Sequence, residues 1–346
     1  MKICGIGRAR QIARRVTNLF VRRAIILLYH RVAELPSDPQ LLCVTPRNFA
    51  DQLQVLRKLG RIVHVKTLKQ ALEHGSRGEL IIVVSFDDGY ADNLYNAKPL
   101  LERYDVPASV FVTSGYLGSE REFWYDDLDR ILLHNGRLPD TLRLKVGECC
   151  YEWDISSAAA HTASRNSSAW NIAQMDDPTV RHSIYRSLFH ILHPLSDRQR
   201  QKVLEDLATW AGMDTKHRPT HRTLSPEELV RLAQGGMIEI GSHTVSHPVL
   251  STLALSKQRE EIAASKTCLE EILGYRIASF AYPFGGRSHY TDQTVRTVRE
   301  AGFDWACSNF AGSVYQDTDP LQLPRFIVRD WDGDQFARTL KGWVHG

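Results

Sequence analysis

Acidic and imidazole side chains gather in this chain just after its most apolar runs. Asp87 and Asp88 directly follow Leu80–Phe86 (LIIVVSF), with Gly89 behind them. His243 follows the run Met237–Gly241 across Ser242, and His247 comes four residues later. His30 ends Ala24–Tyr29, and Tyr282-Pro283-Phe284-Gly285 ends Ile277–Tyr282. Imidazoles four residues apart on one helical turn face the same side and can grip one metal ion. A catalytic zinc takes three protein ligands and keeps a position for water, so two imidazoles and one carboxylate from a neighbouring strand end make a set. The doublet Asp87-Asp88 can supply both a ligand and a base, because adjacent side chains at a tight turn diverge. Each piece also has a plainer use. Asp-Asp-Gly makes helix caps and turns, and 14 histidines in 346 residues produce a His-x-x-x-His pair easily by chance. His217 and His221 share that spacing in a Pro- and Arg-bearing linker, where solvated surface is the expectation.

The elements that must position these groups alternate. Ala24–Tyr29, Leu80–Phe86 and Ala108–Val112 read as strands, the second buried on both faces. Thr45-Pro46 opens a helix carrying Phe49, Leu53, Leu56 and Leu59 at helical spacing, stopped by Gly60. A helix spans Asn93–Tyr104, and Ser225-Pro226-Glu227-Glu228 is a capping box. Strands Met237–Gly241, Ile277–Tyr282, Phe303–Cys307 and Leu323–Val328 then alternate with helices Lys257–Leu273, Thr291–Ala301 and Asp334–Leu340. Repeated βα units imply a parallel sheet covered by helices, either an open doubly wound sheet or a barrel. Both build sites where the strands end at their C-terminal side. Between 120 and 222 the alternation fails. This stretch holds Trp124, Trp153 and Trp170 and helical patches near 181–192 and 198–210, and it reads as a largely helical insertion.

Composition sets a class and little more. With 43% apolar and 24% charged residues, the chain is globular rather than disordered, collagen-like or coiled-coil. A net charge of +3 gives no argument for a nucleic-acid partner. Six cysteines without a Cys-x-x-Cys pair read as reduced, mostly buried thiols. Residues 1–23 are basic, with no acid before Glu34, and Ile12, Val16, Leu19 and Phe20 recur at helical spacing. Such a segment either lies through residues 8–23 on an anionic membrane surface or packs as a solvated first helix. Neither a secretory signal nor a membrane span is legible, so a cytoplasmic location is expected, peripheral to the inner membrane face if the first alternative holds.

These segments resemble the polysaccharide deacetylase family, the NodB-homology or carbohydrate esterase family 4 enzymes. The resemblance rests on Ser85-Phe86-Asp87-Asp88-Gly89-Tyr90, on Pro107–Val112 and on Gly241-Ser242-His243-Thr244-Val245-Ser246-His247, with weaker support from Tyr282–Gly285 and Gly302-Phe303. It covers about 24–119 and 223–328, around the insertion. It implies an irregular (β/α) barrel of about seven parallel strands over 24–346, interrupted at about 120–222. It also implies Asp87 as general base and Asp88, His243 and His247 as ligands of a divalent metal. Zinc suits that donor set, with cobalt, nickel or manganese acceptable. A backbone N–H near Tyr282, Pro283 and Phe284 would hold the oxyanion.

Two departures stand out. The family's Arg that pairs with the base is replaced by Ala281, and Arg325 is the candidate to supply that charge from elsewhere. The family's last-motif His is missing after Ile327-Val328, and His30 is the candidate to protonate the leaving amine. Trp124, in Phe123-Trp124-Tyr125-Asp126-Asp127, would either stack on a sugar ring or staple the insertion. The expected activity is hydrolysis of an N-acetyl or similar small acyl group from an amino sugar in a glycan, glycoside or lipid-linked sugar. Hydrolysis of a non-sugar amide or formamide C–N bond, or a carbohydrate-binding role without catalysis, are the alternatives.

Overall fold

The computed structural model describes residues 22–76, 78–134, 136–158, 160–161, 169–213 and 217–345. The amphipathic reading of the N-terminal segment therefore falls almost wholly outside the described residues. Seven strands form one curled parallel sheet: β1 Arg23–Tyr29, β2 Leu80–Phe86, β3 Ala108–Val112, β4 Ile238–Ser242, β5 Ser279–Ala281, β6 Trp305–Cys307 and β7 Phe326–Ile327. Their order is β7-β1-β2-β3-β4-β5-β6, and the two-residue strand Arg61–Ile62 runs beside the first half of β2. β1 and β2 pair in register along their whole length, from Arg23 opposite Leu80 to Tyr29 opposite Phe86. The expected strand Leu323–Val328 is split. Leu323 bridges to Cys307 of β6, and Phe326 and Ile327 pair with Leu27 and Leu28 of β1. One short segment thus touches both edges of the sheet and draws the curl together. All seven strands point the same way, so their C-terminal ends share one side.

Burial on both faces explains the unbroken apolar runs. Ile26, Val83, Phe111, Ala281 and Cys307 face the inside of the curl, while Ile25, Leu27, Ile82, Val84 and Val110 alternate outward against the helices. The helices are α1 Pro46–Leu59, α2 Leu68–His74, α3 Lys98–Tyr104, α4 Trp124–Leu132, α5 Val180–Leu192, α6 Asp197–Ala211, α7 Pro226–Ala233, α8 Leu255–Leu273, α9 Asp292–Glu300 and α10 Gly333–His345. Leu68, Ala71 and Leu72 of α2 join the inner cluster with Ala24 and Ile81 and stopper the N-terminal end. At α1 the Thr45 hydroxyl accepts from the Asn48 N–H, and Phe49, Leu53 and Leu56 are buried as the spacing predicts. Ser225 and Glu228 close a reciprocal capping box on α7. The helix expected over Asn93–Tyr104 begins instead as a π-helical turn, Asn93–Ala97. There Asn93 and Asn96 donate side-chain hydrogen bonds to the carbonyls of His30 and Val32, at 2.9 and 2.7 Å.

Within 120–222, α4, α5 and α6 pack around a core of their own that includes Phe123, Leu128, Ile184, Leu188 and Leu207. An antiparallel hairpin, Thr141–Val146 with Cys149–Asp154, accompanies them and is absent from the sequence reading. Its alternation is real but short: Leu142 and Leu144 are buried between exposed neighbours. The expectation of mostly buried cysteines fails. All five described cysteines are free thiols, and of these Cys307 alone is buried, while Cys149 and Cys150 on the hairpin are exposed. No helix among the described residues is long and apolar enough to cross a membrane.

Candidate metal centre and its pocket

β2 delivers Asp87 and Asp88 to the C-terminal side of the sheet. Asp88 (φ 75°) and Gly89 (φ 79°) both take left-handed backbone, and this sharp turn sends the two carboxylates in different directions. From β4, His243 hydrogen-bonds through Nδ1 to the Ala281 carbonyl at 2.8 Å. A carbonyl only accepts, so the proton sits on Nδ1 and Nε2 presents a lone pair to the site. His243 and His247 do not ride one helical turn, as their spacing suggested. Residues 243–249 form an irregular loop, with left-handed Thr244 (φ 66°) and His247 (φ 54°). The Glu261 carboxylate of α8 holds that loop by accepting from the Val245 and Ser246 N–H groups at 2.9 and 2.8 Å. Among the described residues, four of the six non-glycine left-handed ones, counting Phe284 (φ 59°), sit in these site loops, as strained backbone at functional sites commonly does.

The three groups converge. Asp88 Oδ1 lies 3.6 Å from His243 Nε2 and 3.4 Å from His247 Nε2, and all three side chains are buried. Asp88 Oδ2 accepts from the Tyr125 hydroxyl at 2.9 Å, whereas Oδ1 accepts from no donor among the described residues. Burial, then the charge of Asp87, pushes the Asp88 carboxyl well above its ordinary range. Burial and the neighbouring His243 hold His247 far below the usual imidazole value. A buried carboxylate oxygen facing two neutral imidazole nitrogens is costly alone, and it is a fitting donor set for a divalent cation.

Asp87 has a different environment. Arg325 grips it with two parallel bonds, Nη1 to Oδ1 and Nη2 to Oδ2, both 2.7 Å, while its Nε donates to the Ser308 carbonyl at 2.7 Å. Burial alone would raise the Asp87 carboxyl; Arg325, with His243 and His30 behind it, outweighs that and holds it below the ordinary value. Arg325 is fully buried, so it is no strand-edge cation. Ala281 contributes its backbone carbonyl, which orients His243.

These groups lie at the floor of a cavity of about 460 Å³. His30 and Phe284 line it, as the sequence suggested, beside Tyr125, Phe189, His193, His289 and Arg329. Burial pulls the His30 imidazole down to about 3 against the opposing charge of Asp87. Tyr282, Pro283 and Trp124 do not line it. The Tyr282 hydroxyl is spent on the Leu321 carbonyl and its ring stacks on Tyr290. Trp124 is buried in the insertion core, against Phe189 and beneath Arg200. Its neighbour Tyr125 points into the site instead, one residue along the same helix. Of the backbone donors in the 282–285 turn, Tyr282 N–H goes to Cys307 and Gly285 N–H to Pro283. Pro283 has none, which leaves the Phe284 N–H without a partner among the described residues.

The linker pair also departs from expectation. His221 is buried, and His217 lies 3.4 Å from Asp127, within ligand reach of Glu122. Arg218 and Arg130 already neutralise those carboxylates at 2.7 Å, so this cluster is an ion-pair network that ties the linker down.

A pair of carboxylates at the end of one strand and two imidazoles at the end of the next but one thus meet on the C-terminal side of a curled seven-stranded sheet. The polysaccharide deacetylase family model matches residues 74–187 and 189–306, more than half of the chain, and the chain belongs to that family. The match runs through the 120–222 segment rather than around it and leaves His30 and Arg325 outside. Among curated relatives, the peptidoglycan-N-acetylmuramic acid deacetylase PdaC of Bacillus subtilis is 36% identical over 61 residues, 18% of this chain and 13% of its own length. YxkH of the same organism is 26% identical over 113 residues, 32% of this chain and 38% of its own length. The chain thus aligns with well under half of either relative. Among solved structures, Streptococcus pyogenes deacetylase PplD in complex with acetate superposes with a TM-score of 0.56 at 16% identity, covering 92% of this chain and 99% of that one. IcaB from Ammonifex degensii gives 0.56 at 19% identity, covering 95% and 99%. At such identities these likenesses establish the fold.

Proposed function

We propose that this protein is a metal-dependent hydrolase that removes an N-acetyl or similar small acyl group from an amino sugar. The observation that carries the reading is a buried carboxylate, Asp87, held ionised by Arg325 beside the Asp88–His243–His247 set on one cavity floor. Asp88 Oδ1, His243 Nε2 and His247 Nε2 would hold the ion, zinc by donor type. When bound, such an ion supplies Lewis acidity and brings the pKa of water toward neutrality. Asp87, ionised and fixed by two hydrogen bonds, takes a proton at a carboxylate oxygen as water adds to the amide carbonyl. The Phe284 N–H supplies a donor for the oxygen that becomes negative. The proton that Asp87 takes is the one the departing amine needs, and His30, neutral on the same cavity wall, is placed to relay it. Phe189 and Phe284 offer the apolar walls on which sugar C–H faces pack.

We also propose a cytoplasmic setting with residues 8–23 against an anionic membrane face, supported by the acid-free basic run before Glu34. The activity is tested by metal content of the wild type beside Asp88→Ala and His247→Ala, with acetate release measured on a panel of N-acetylated amino sugars and non-sugar amides. One equivalent in the wild type, lost in both variants, and acetate from sugars only, are expected. A wild type that binds no zinc and releases no acyl group would sink the proposal.

A further inference from the structure

Contacts join the segments that line the cavity, each to the next, in a ring. Starting at the loop after β1, the Pro39 carbonyl accepts from the Ile172 N–H at 2.9 Å, and the Gln40 side chain donates to the Tyr185 hydroxyl at 2.7 Å. Those two contacts join the barrel to α5 and to the segment before it on one flank. One turn further along α5 is Phe189, and at its end the His193 ring meets Phe284 at 4.4 Å and His289 at 5.2 Å. That joins the insertion to the barrel again, on the other flank. Gly285 then accepts from the Asn309 N–H at 2.7 Å, and Phe310 from the Arg325 N–H at 3.0 Å. Two residues beyond β7, the Arg329 guanidinium donates to the Leu41 carbonyl, next to Gln40 where the circuit began. A polymer chain crossing an active site needs an opening on two opposite sides, whereas here each described lining segment is joined to its neighbour.

From this we infer that the pocket is blind and takes a saccharide end: a free N-acylated amino sugar, a small glycoside or the terminal unit of a chain, never an internal unit. The inference rests on the hydrolase reading and narrows its substrate class. A cavity of about 460 Å³ lies at the small end of the range for ligand pockets. Apart from Asp87 and Asp88 it is lined by no carboxylate, so its walls do not repel an acidic substituent on that end unit.

The test uses the zinc-loaded full chain with a fully N-acetylated glucosamine tetrasaccharide and the N-acetylglucosamine methyl glycoside, locating each lost acetyl group by tandem mass spectrometry. Loss from one terminal unit only, with kcat/KM for the glycoside within about tenfold of the tetrasaccharide, is expected. Loss from either internal unit overturns the inference while leaving the hydrolase reading intact. A second arm does not depend on turnover: saturation-transfer NMR of the tetrasaccharide on Asp87→Asn, a substitution of similar size. Contact confined to one terminal ring supports the blind pocket even if no acetyl group is ever released, an outcome that would sink only the hydrolase reading. Equal contact along all four rings overturns it. A Gln40→Ala variant, which removes the side-chain bond to Tyr185 on the first flank, is expected to gain internal-unit contact by the same NMR measurement.

Discussion

Asp87 and Asp88 are adjacent, equally buried and of one chemical type, yet their surroundings push them apart. Arg325 holds Asp87 ionised, while Asp88 has a single hydroxyl donor and is pushed upward by burial and by Asp87. Replacing Arg325 by Met leaves burial as the dominant influence on Asp87, so its pKa rises. A base must be deprotonated to work, so the acidic limb of kcat/KM should move to higher pH, by about 1–3 units, with metal content unchanged. A limb that stays in place would mean that another group titrates there. The sign for stability is opposite in form. Asp87, lowered on folding, contributes stability above its unfolded value, lost as pH falls through the folded one. Tyr125 acts on the other carboxylate. By occupying Oδ2 it leaves Oδ1 as the ligand atom, and Tyr125→Phe should weaken zinc binding about 10–100-fold in a chelator competition, with the fold intact by circular dichroism.

Elements set these residues in place with little slack. Gly241, two residues before His243 on β4, leaves no room for a side chain: a Cβ there would lie 2.5 Å from the Phe111 ring and 2.8 Å from Ser279 Oγ. Gly241→Ala should cost about 1–3 kcal/mol in chemical denaturation, and a variant with unchanged stability would mean that β4 can shift freely. The capping box at Ser225 is more forgiving, and Ser225→Ala should cost about 1 kcal/mol by the same measurement. At this scale much was legible beforehand. Continuous apolar runs such as Leu80–Phe86 announce buried strands, and Thr45-Pro46 and Ser225–Glu228 announce helix starts, because both signals are local. The hairpin at 141–154 was not legible, since only Leu142 and Leu144 alternate inward. Nor was the π-turn, which depends on Asn93 and Asn96 finding carbonyls some sixty residues away.

Across the whole molecule, one buried cation ties several parts of the insertion to the site. Arg200 of α6 donates to the carbonyls of Leu192, His193 and His247 and lies over the Trp124 ring at 5.2 Å. It therefore links the end of α5, one wall of the pocket and a ligand loop. Arg200→Met should cost about 3 kcal/mol by leaving buried carbonyls unpaired, and should weaken zinc binding as the His247 loop loosens. Unchanged zinc affinity in a folded variant would show that the insertion and the ligand loop are independent. Such links explain the division between what the sequence disclosed and what it hid. Asp87, Asp88, His243 and His247 stand in short motifs, whereas Trp124 was singled out where Tyr125 reaches the cavity. Which face of α4 turns toward the barrel is settled by packing across the insertion core, not by residues 123–127 themselves.

The pairing of Asp87 with Arg325 spans 238 positions of the chain. Contacts of such separation form late, because the loop they close carries a large entropic cost until the intervening structure has condensed. During synthesis the base emerges long before its cation, so a nascent or truncated chain that ends before Arg325 holds the metal ligands but not the tuned carboxylate. On the reading proposed above, competence is thereby deferred to the last strand.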